Sequence, residues 1–136
     1  MIDKHPFRVW RETGSPPEQA SELLAPDIVF HSPVLAKSVS GRELVLQILL
    51  NSGQVTDAHF LDEFRQGNKT MLRLSGTVEN NPLETFIFII DNENGKVQDL
   101  TVAMRPFYSV ARFREMMFER LQPILPVDVW EVTGGS

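Results

Sequence analysis

Cysteine is absent from the 136 residues, which excludes disulfide staples, thiolate metal sites and cysteine nucleophiles. Histidine occurs three times and tyrosine once, and His5, His31 and His59 show no HExxH or HxH spacing, so no metal is expected. GxGxxG, GxxxxGK[ST] and GxSxG are all missing, so no cofactor is expected either. Basic residues are the minority, 13 against 18 acidic, for a net charge of −5. Such a chain lacks the basic face that displaces counterions from phosphates, and nucleic acid is not an expected partner. No apolar run approaches the ~18 residues of a membrane span. Met1-Ile2-Asp3-Lys4-His5 does not read as a signal peptide, so the expected location is cytoplasmic with no membrane partner. What the chain does have is 42% hydrophobic residues, enough for one core. The length suits a single domain over 1–136, with its core at about 5–121 and a tail, 122–136, docked or flexible.

Turn and cap signals divide the chain. His5 to Glu12 has apolar residues at helical spacing, and Gly14 is placed to end that turn. Ser15-Pro16-Pro17-Glu18 reads as a capping box that restarts a helix carrying Ala20, Leu23 and Leu24, with Pro26 as its stop. Ile28 to Ser32 is β-branched and aromatic, a short strand closed by Pro33. Leu44, Val45, Ile48 and Leu49 give a helix from Ser40-Gly41 to about Asn51. Four segments follow (55–66, 70–79, 83–90 and 96–105), broken by Gly67-Asn68, Asn80-Asn81-Pro82 and Asp91 to Gly95, and they predict an antiparallel meander. Phe86-Ile87-Phe88-Ile89-Ile90 is apolar on both faces, as a centrally placed strand covered on both sides would be. Hydrophobicity sends Leu72, Leu74 and Val78 toward the helices rather than Arg73, Ser75 and Thr77. Ser109 to Leu121 is helical, with Val110, Phe113, Met117 and Leu121 in register. The apolar tail residues, Trp130 among them, suggest a docked segment such as an added edge strand, or a partner contact.

This order of elements is an α+β pattern. With it, the phrases Leu24-Ala25-Pro26-Asp27-Ile28-Val29-Phe30-His31-Ser32-Pro33-Val34, Gly41-Arg42-Glu43, Gly95-Lys96-Val97 and Met104-Arg105-Pro106-Phe107 resemble the nuclear transport factor 2-like (SnoaL-like) superfamily. The resemblance spans about residues 5–110. It implies a cone: a strongly curved antiparallel sheet wrapped around the N-terminal helices, with a deep, mostly apolar cavity and dimerisation through the outer face of the sheet. Ketosteroid isomerase, scytalone dehydratase, limonene-epoxide hydrolase, polyketide cyclases and non-catalytic binding modules share the scaffold, so the site has to choose among them.

Ketosteroid isomerase needs a carboxylate base, a tyrosine and a protonated aspartic acid. The matching positions here fall on Ser32, on or beside Phe7, and near Phe86, none of which can serve. Limonene-epoxide hydrolase, a more distant resemblance, uses an arginine flanked by two aspartates. Asp62 and Arg73 would face each other across a two-residue Gly67-Asn68 turn, with Asp99 two strands away, but the pair reads first as an exposed cross-strand ion pair of small energetic worth. His31 is a conceivable general base. Strand alternation, however, sends either Ser32 or His31 inward, and the family pattern favours Ser32 with Phe30. His59 reads as structural or surface, and His5 lies near the terminus.

The expected pocket is therefore lined by Phe7, Trp10, Phe30, Ser32, Phe86, Phe88, Met104 and Tyr108, with His31, Ile87, Ile89 and Arg105 on a homodimer interface. Few polar groups in an apolar pocket suit a small hydrophobic or aromatic ligand. Two alternatives stand beside this one. A hydrolase, isomerase or cyclase would use Asp62, Arg73 or a histidine inside the cavity. An interaction module would have its interior filled by some of the nine phenylalanines, leaving a hollow below the ~300 Å³ usual for ligand sites.

Overall fold

The computed structural model describes residues 3–131. Its first helix, α1 (Pro6–Glu12), starts where Pro6 removes an N–H that has no helical partner and His5 Nδ1 accepts the Phe7 backbone N–H at 2.9 Å. The capping box expected at Ser15 does not form. Ser15 stands at φ 54° and its Oγ accepts from Arg11 Nη1 at 3.2 Å, so the hydroxyl is held by α1. The following segment is only a 3-10 turn, Pro17–Gln19, and one turn of helix, α2 (Ala20–Leu23).

The sheet has six strands: β1 (Leu24–His31), β2 (Val39–Ser40), β3 (Asp57–Gln66), β4 (Lys69–Val78), β5 (Asn81–Asp91) and β6 (Val97–Arg105). Their order is β2-β1-β6-β5-β4-β3, and only β1 and β6 run parallel. β1 begins four residues before the expected strand and runs through Pro26, which sits where its register with β6 shifts between Leu24 and Val29. An irregularity of that kind tolerates a missing N–H. The long helices α3 (Arg42–Val55) and α4 (Phe107–Leu121) pack against one face of this curved, unclosed sheet. The chain is thus the α+β architecture expected, mostly rather than wholly antiparallel.

Two tight turns set which side chains face the helices. Gln66 pairs with Lys69 across Gly67-Asn68, and Val78 pairs with Asn81 across Glu79-Asn80, both of which have positive φ (48° and 67°). That is the backbone twist hairpin turns favour. The second turn comes earlier than Asn80-Asn81-Pro82, and Asn81 and Pro82 belong to β5. With this register Leu72, Leu74 and Val78 are buried while Arg73 and Ser75 face away, as hydrophobicity predicted. Val45, Ile48, Leu49, Phe113, Met117 and Leu121 complete the core from the helix side.

The tail docks as a helical turn, α5 (Val127–Trp130), rather than as an edge strand. Trp130 is buried edge-on against Phe118, with ring centroids 5.2 Å apart, and the Val129 carbonyl accepts the Ala36 N–H at 2.7 Å. The rest of the tail, 132–136, lies outside the described residues. No helix among the described residues is long and apolar enough to cross a membrane.

Candidate functional site

Between the sheet's inner face and α1, α3 and α4 lies a cavity of about 70 Å³. Its wall is Phe7 from α1, Phe30 and Ser32 at the end of β1, Thr85 and Ile87 from β5, Val102 and Met104 from β6, and Phe113 and Met117 from α4, with α3 on the far side. A cleft of about 580 Å³ opens beside it, lined by Glu12, Gly14, Leu50, Gly53, Gln54, His59 and Phe60 among others. The two share Arg11, Thr56, Ala58 and Leu74, so the cavity lies directly behind the cleft. The inner hollow alone is below the ~300 Å³ of ordinary ligand sites, the size expected of an interaction module with a filled interior, whereas the cleft exceeds it.

Phe7, Phe30, Ser32 and Met104 line the cavity as expected. Ser32 is less available than its position suggests, because its Oγ accepts the Val34 N–H at 3.1 Å. Four expected pocket residues lie elsewhere. Phe86 and Phe88 belong to the opposite face of β5: Leu83, Thr85, Ile87 and Ile89 are the buried set, and strand alternation sends their neighbours outward. The expected interface residues Ile87 and Ile89 are therefore interior. Ile87 lines the cavity, and Ile89 is fully buried, paired with Thr70 on one side and Leu100 on the other. β5 is apolar on both faces, so hydrophobicity alone could not choose between the two sets. Trp10 is buried against Phe7 at 5.8 Å between ring centroids, and its indole N–H donates to the Pro16 carbonyl at 2.8 Å, away from the cavity. Tyr108 is 57% exposed. The inward stripe of α4 is Ser109, Phe113, Met117 and Leu121, and Tyr108 precedes it by about 100° of helical rotation.

The catalytic candidates all leave the interior. Arg73 Nε donates to Asp62 Oδ2 at 2.6 Å and Arg73 Nη1 to Glu84 Oε2 at 2.8 Å, while Arg105 Nη1 reaches Glu84 Oε1 at 3.0 Å. This ladder lies across β3, β4, β5 and β6 on the outer face. The two carboxylates hold the Arg73 guanidinium above its ordinary range, and the two arginines hold Glu84 below the usual carboxylate range. His31 sits on the same face, its Nε2 3.2 Å from Asp99 Oδ2. His59 is exposed at the cleft rim. His5, which the sequence places near an uninformative terminus, is buried: Nδ1 caps α1 and Nε2 lies 3.0 Å from Asp91 Oδ2. Among the described residues no cluster of His, Asp and Glu could hold a metal ion.

The residue that sequence reasoning missed is Arg11. Burial pushes its guanidinium down to about 10, still protonated at neutral pH. Nη1 donates to Ser15 Oγ at 3.2 Å and to the Leu49 carbonyl at 2.8 Å, and Nη2 to Ser52 Oγ at 3.1 Å. The available signal was position: Arg11 follows buried Phe7 by four residues, which puts it on the inward face of α1. Of all the residues lining the inner cavity, Arg11 alone is charged at neutral pH.

Comparison with protein-family models and with the curated proteins gives no match. Solved structures do match. A bacterial protein of cystatin-like fold from Silicibacter pomeroyi is 27% identical, with a TM-score of 0.80 over 88% of each chain. A steroid delta-isomerase from Pseudomonas aeruginosa is 26% identical, with a TM-score of 0.76 over 86% of this chain and 89% of that one. A nuclear transport factor 2-like protein of unknown function from Mesorhizobium loti, 16% identical, shares the fold with a TM-score of 0.65 over 74% and 85%. Together with the curved sheet and the cavity beneath it, these likenesses make the chain a member of the nuclear transport factor 2-like superfamily.

Proposed function

We propose that the cleft and the inner cavity together bind one small, largely apolar or aromatic molecule, without general acid–base catalysis. One observation carries this reading: the inner wall holds no carboxylate, histidine, lysine or tyrosine, and the cleft's two such groups, Glu12 and His59, are exposed at its margin, Glu12 already paired with Lys4 and Arg8. The cleft takes the bulk of the ligand, and the 70 Å³ behind it admits a terminal group packed on Phe30, Ile87, Val102 and Met104. The steroid delta-isomerase relative raises isomerisation as a second reading. Ketosteroid isomerisation needs a carboxylate base, a tyrosine and a protonated aspartic acid, and Ser32, Phe7 and Thr85 on the inner side of β5 include no carboxyl group and no phenol, so the base is missing. A hydrolase or cyclase built on Asp62, Arg73 or His31 is disfavoured for the same kind of reason, since all three project away from the cavity. The test is thermal denaturation of the protein against a panel of steroids, terpenes and aromatic lactones. A ligand that binds only the native state raises the melting temperature. At least one class is expected to do so, and no shift across the panel would overturn the proposal.

The outer face of the sheet supports a further part of the reading, a homodimer. Phe64, Met71, Phe88 and Thr101 form one cross-strand row over β3, β4, β5 and β6. Phe64 is 67% exposed and Met71 37%, and Phe86 adds to the patch one row away. Uncovered apolar area of this kind is typical of an interface. Sedimentation at micromolar concentration is expected to give a dimer, and Phe64→Asp a monomer. A wild-type monomer would refute the pairing.

A further inference from the structure

We propose that the ligand of this site is an amphipathic acid whose carboxylate binds Arg11, with its apolar body lying in the cleft and cavity. The inference rests on reading the cleft and cavity as a ligand site, and it adds the chemical class. Three observations carry it. The first is an unmet charge: the three acceptors on the guanidinium are two hydroxyls and a carbonyl, and among the described residues no carboxylate forms an ion pair with it. By contrast, Arg73 and Arg112 each meet two carboxylates. Cations withdrawn from water are ordinarily paired, and this half-buried one borders the hollow with neutral acceptors only, so an anion brought there would meet an uncompensated charge. The second is donor count. A guanidinium carries five N–H groups, and three are used, which leaves Nε–H and one on Nη2. A carboxylate brings two acceptors in one plane and satisfies both.

The third observation is access. Gly53 lies in α3, where glycine costs ~1 kcal/mol relative to alanine. A Cβ there would stand 3.6 Å from Arg11 Nη1 and 3.9 Å from Nη2. With hydrogen at that position the Nη edge of the guanidinium, including the Nη2 that keeps a free N–H, is left uncovered on the side of the cleft, which Gly53 and Arg11 both line. The other charged or titratable groups at the cleft are Glu12 and His59. Glu12 is already engaged by Lys4 Nζ at 3.2 Å and Arg8 Nε at 3.4 Å, so it does not compete for Arg11. Phe60, Leu50 and Leu74 line the same cleft beside Ser15, Gln54 and Thr56, and the cavity behind it is walled by Phe30, Ile87, Val102 and Met104, which suits an acid with a hydrocarbon or aryl body.

The experiment compares 4-phenylbutyrate with 4-phenylbutan-1-ol, which share a skeleton and differ in charge, by calorimetric titration at pH 7.5. Wild type is expected to bind the acid about tenfold more tightly than the alcohol, the factor for a hydrogen-bonded charge. Arg11→Gln is expected to bring the two within about twofold of each other by removing that charge. Gly53→Leu, at an exposed helical position, leaves the bonds from Arg11 to Leu49 and Ser52 in place but covers the guanidinium, and is expected to weaken the acid selectively. It decides the matter even if Arg11→Gln does not fold. Equal binding of acid and alcohol by wild type, or an acid preference that survives Gly53→Leu, would overturn the assignment while leaving a ligand site in place. Failure of both compounds to bind would remove the carboxylate assignment, and the steroid, terpene and lactone panel then decides separately whether a site exists.

Discussion

The three histidines and the inward arginine show how much a side chain's role depends on neighbours that the chain supplies from far away. His5 resembles half of a catalytic dyad, since its Nε2 lies 3.0 Å from Asp91 Oδ2. The other ring nitrogen accepts the Phe7 N–H, which places the ring proton on Nε2 and gives it to the carboxylate. The imidazole is thus spent on tying the start of α1 to the end of β5. His5→Ala is expected to lower stability by about 1–2 kcal/mol, the worth of a helix cap, measured by urea denaturation, with ligand binding retained. Arg73 and Arg11 make the same point in opposite directions. Arg73 meets Asp62 and Glu84 because register puts it there, and Arg11 meets no carboxylate. Asp62 opposite Arg73 was legible from a two-residue turn. Arg11 was legible only as a charge four residues beyond Phe7, and its acceptors Leu49 and Ser52 lie some forty residues away.

Elements were legible where local chemistry decides them and opaque where register does. The turns at Gly67-Asn68 and before Gly95, and the helical spacing of Leu44 to Leu49 and of Val110 to Leu121, predicted the strands and helices within a few residues. The face of β5 was not available from the same patterns, because Phe86 and Phe88 are as apolar as Ile87 and Ile89. A single-residue difference in where the β4–β5 turn begins exchanges the two sets. Gly76 is a second feature that strand propensity alone passes over. A Cβ there would run into the Asp57 carbonyl and the Cα and Cβ of Ala58, so the close approach of β3 to β4 at the cleft needs glycine. Gly76→Ala is expected to cost about 1–3 kcal/mol, as overpacking does, read from the denaturation midpoint.

Glu84 links β4, β5 and β6 through Arg73 and Arg105, and these partners hold its carboxyl below the ordinary value of 4.5. A depressed carboxylate stabilises the fold above its unfolded pKa, and that contribution disappears as pH falls through the folded one. Wild type is therefore expected to exceed Glu84→Gln in stability at pH 7, by a small, salt-screened margin. The gap should close below about pH 4. A gap that widens on acidification would contradict the ion-pair ladder.

For the molecule as a whole, one sheet serves two surfaces. The inner side, with α1, α3 and α4, encloses a hollow whose single charge is a cation, and the outer side carries the Asp62–Arg73–Glu84–Arg105 ladder and the exposed Phe64. The cone was legible from element order and the short phrases around Phe30 and Gly41, whereas the size of the hollow depends on how Phe113, Met117 and Ile87 meet across the core. The docked tail belongs to that closure. Trp130→Ala is expected to cost about 3 kcal/mol through the lost contact with Phe118, measured as a lower melting temperature. The most direct measurement is a crystal structure of the protein with 4-phenylbutyrate. The expected result is a phenyl body in the cleft beside Phe60 and Leu74, with both carboxylate oxygens within hydrogen-bond distance of Arg11. A ligand seated on the outer face, or an aspartate or glutamate side chain turned into the hollow beside it, would contradict a binding site whose inner cavity lacks a base.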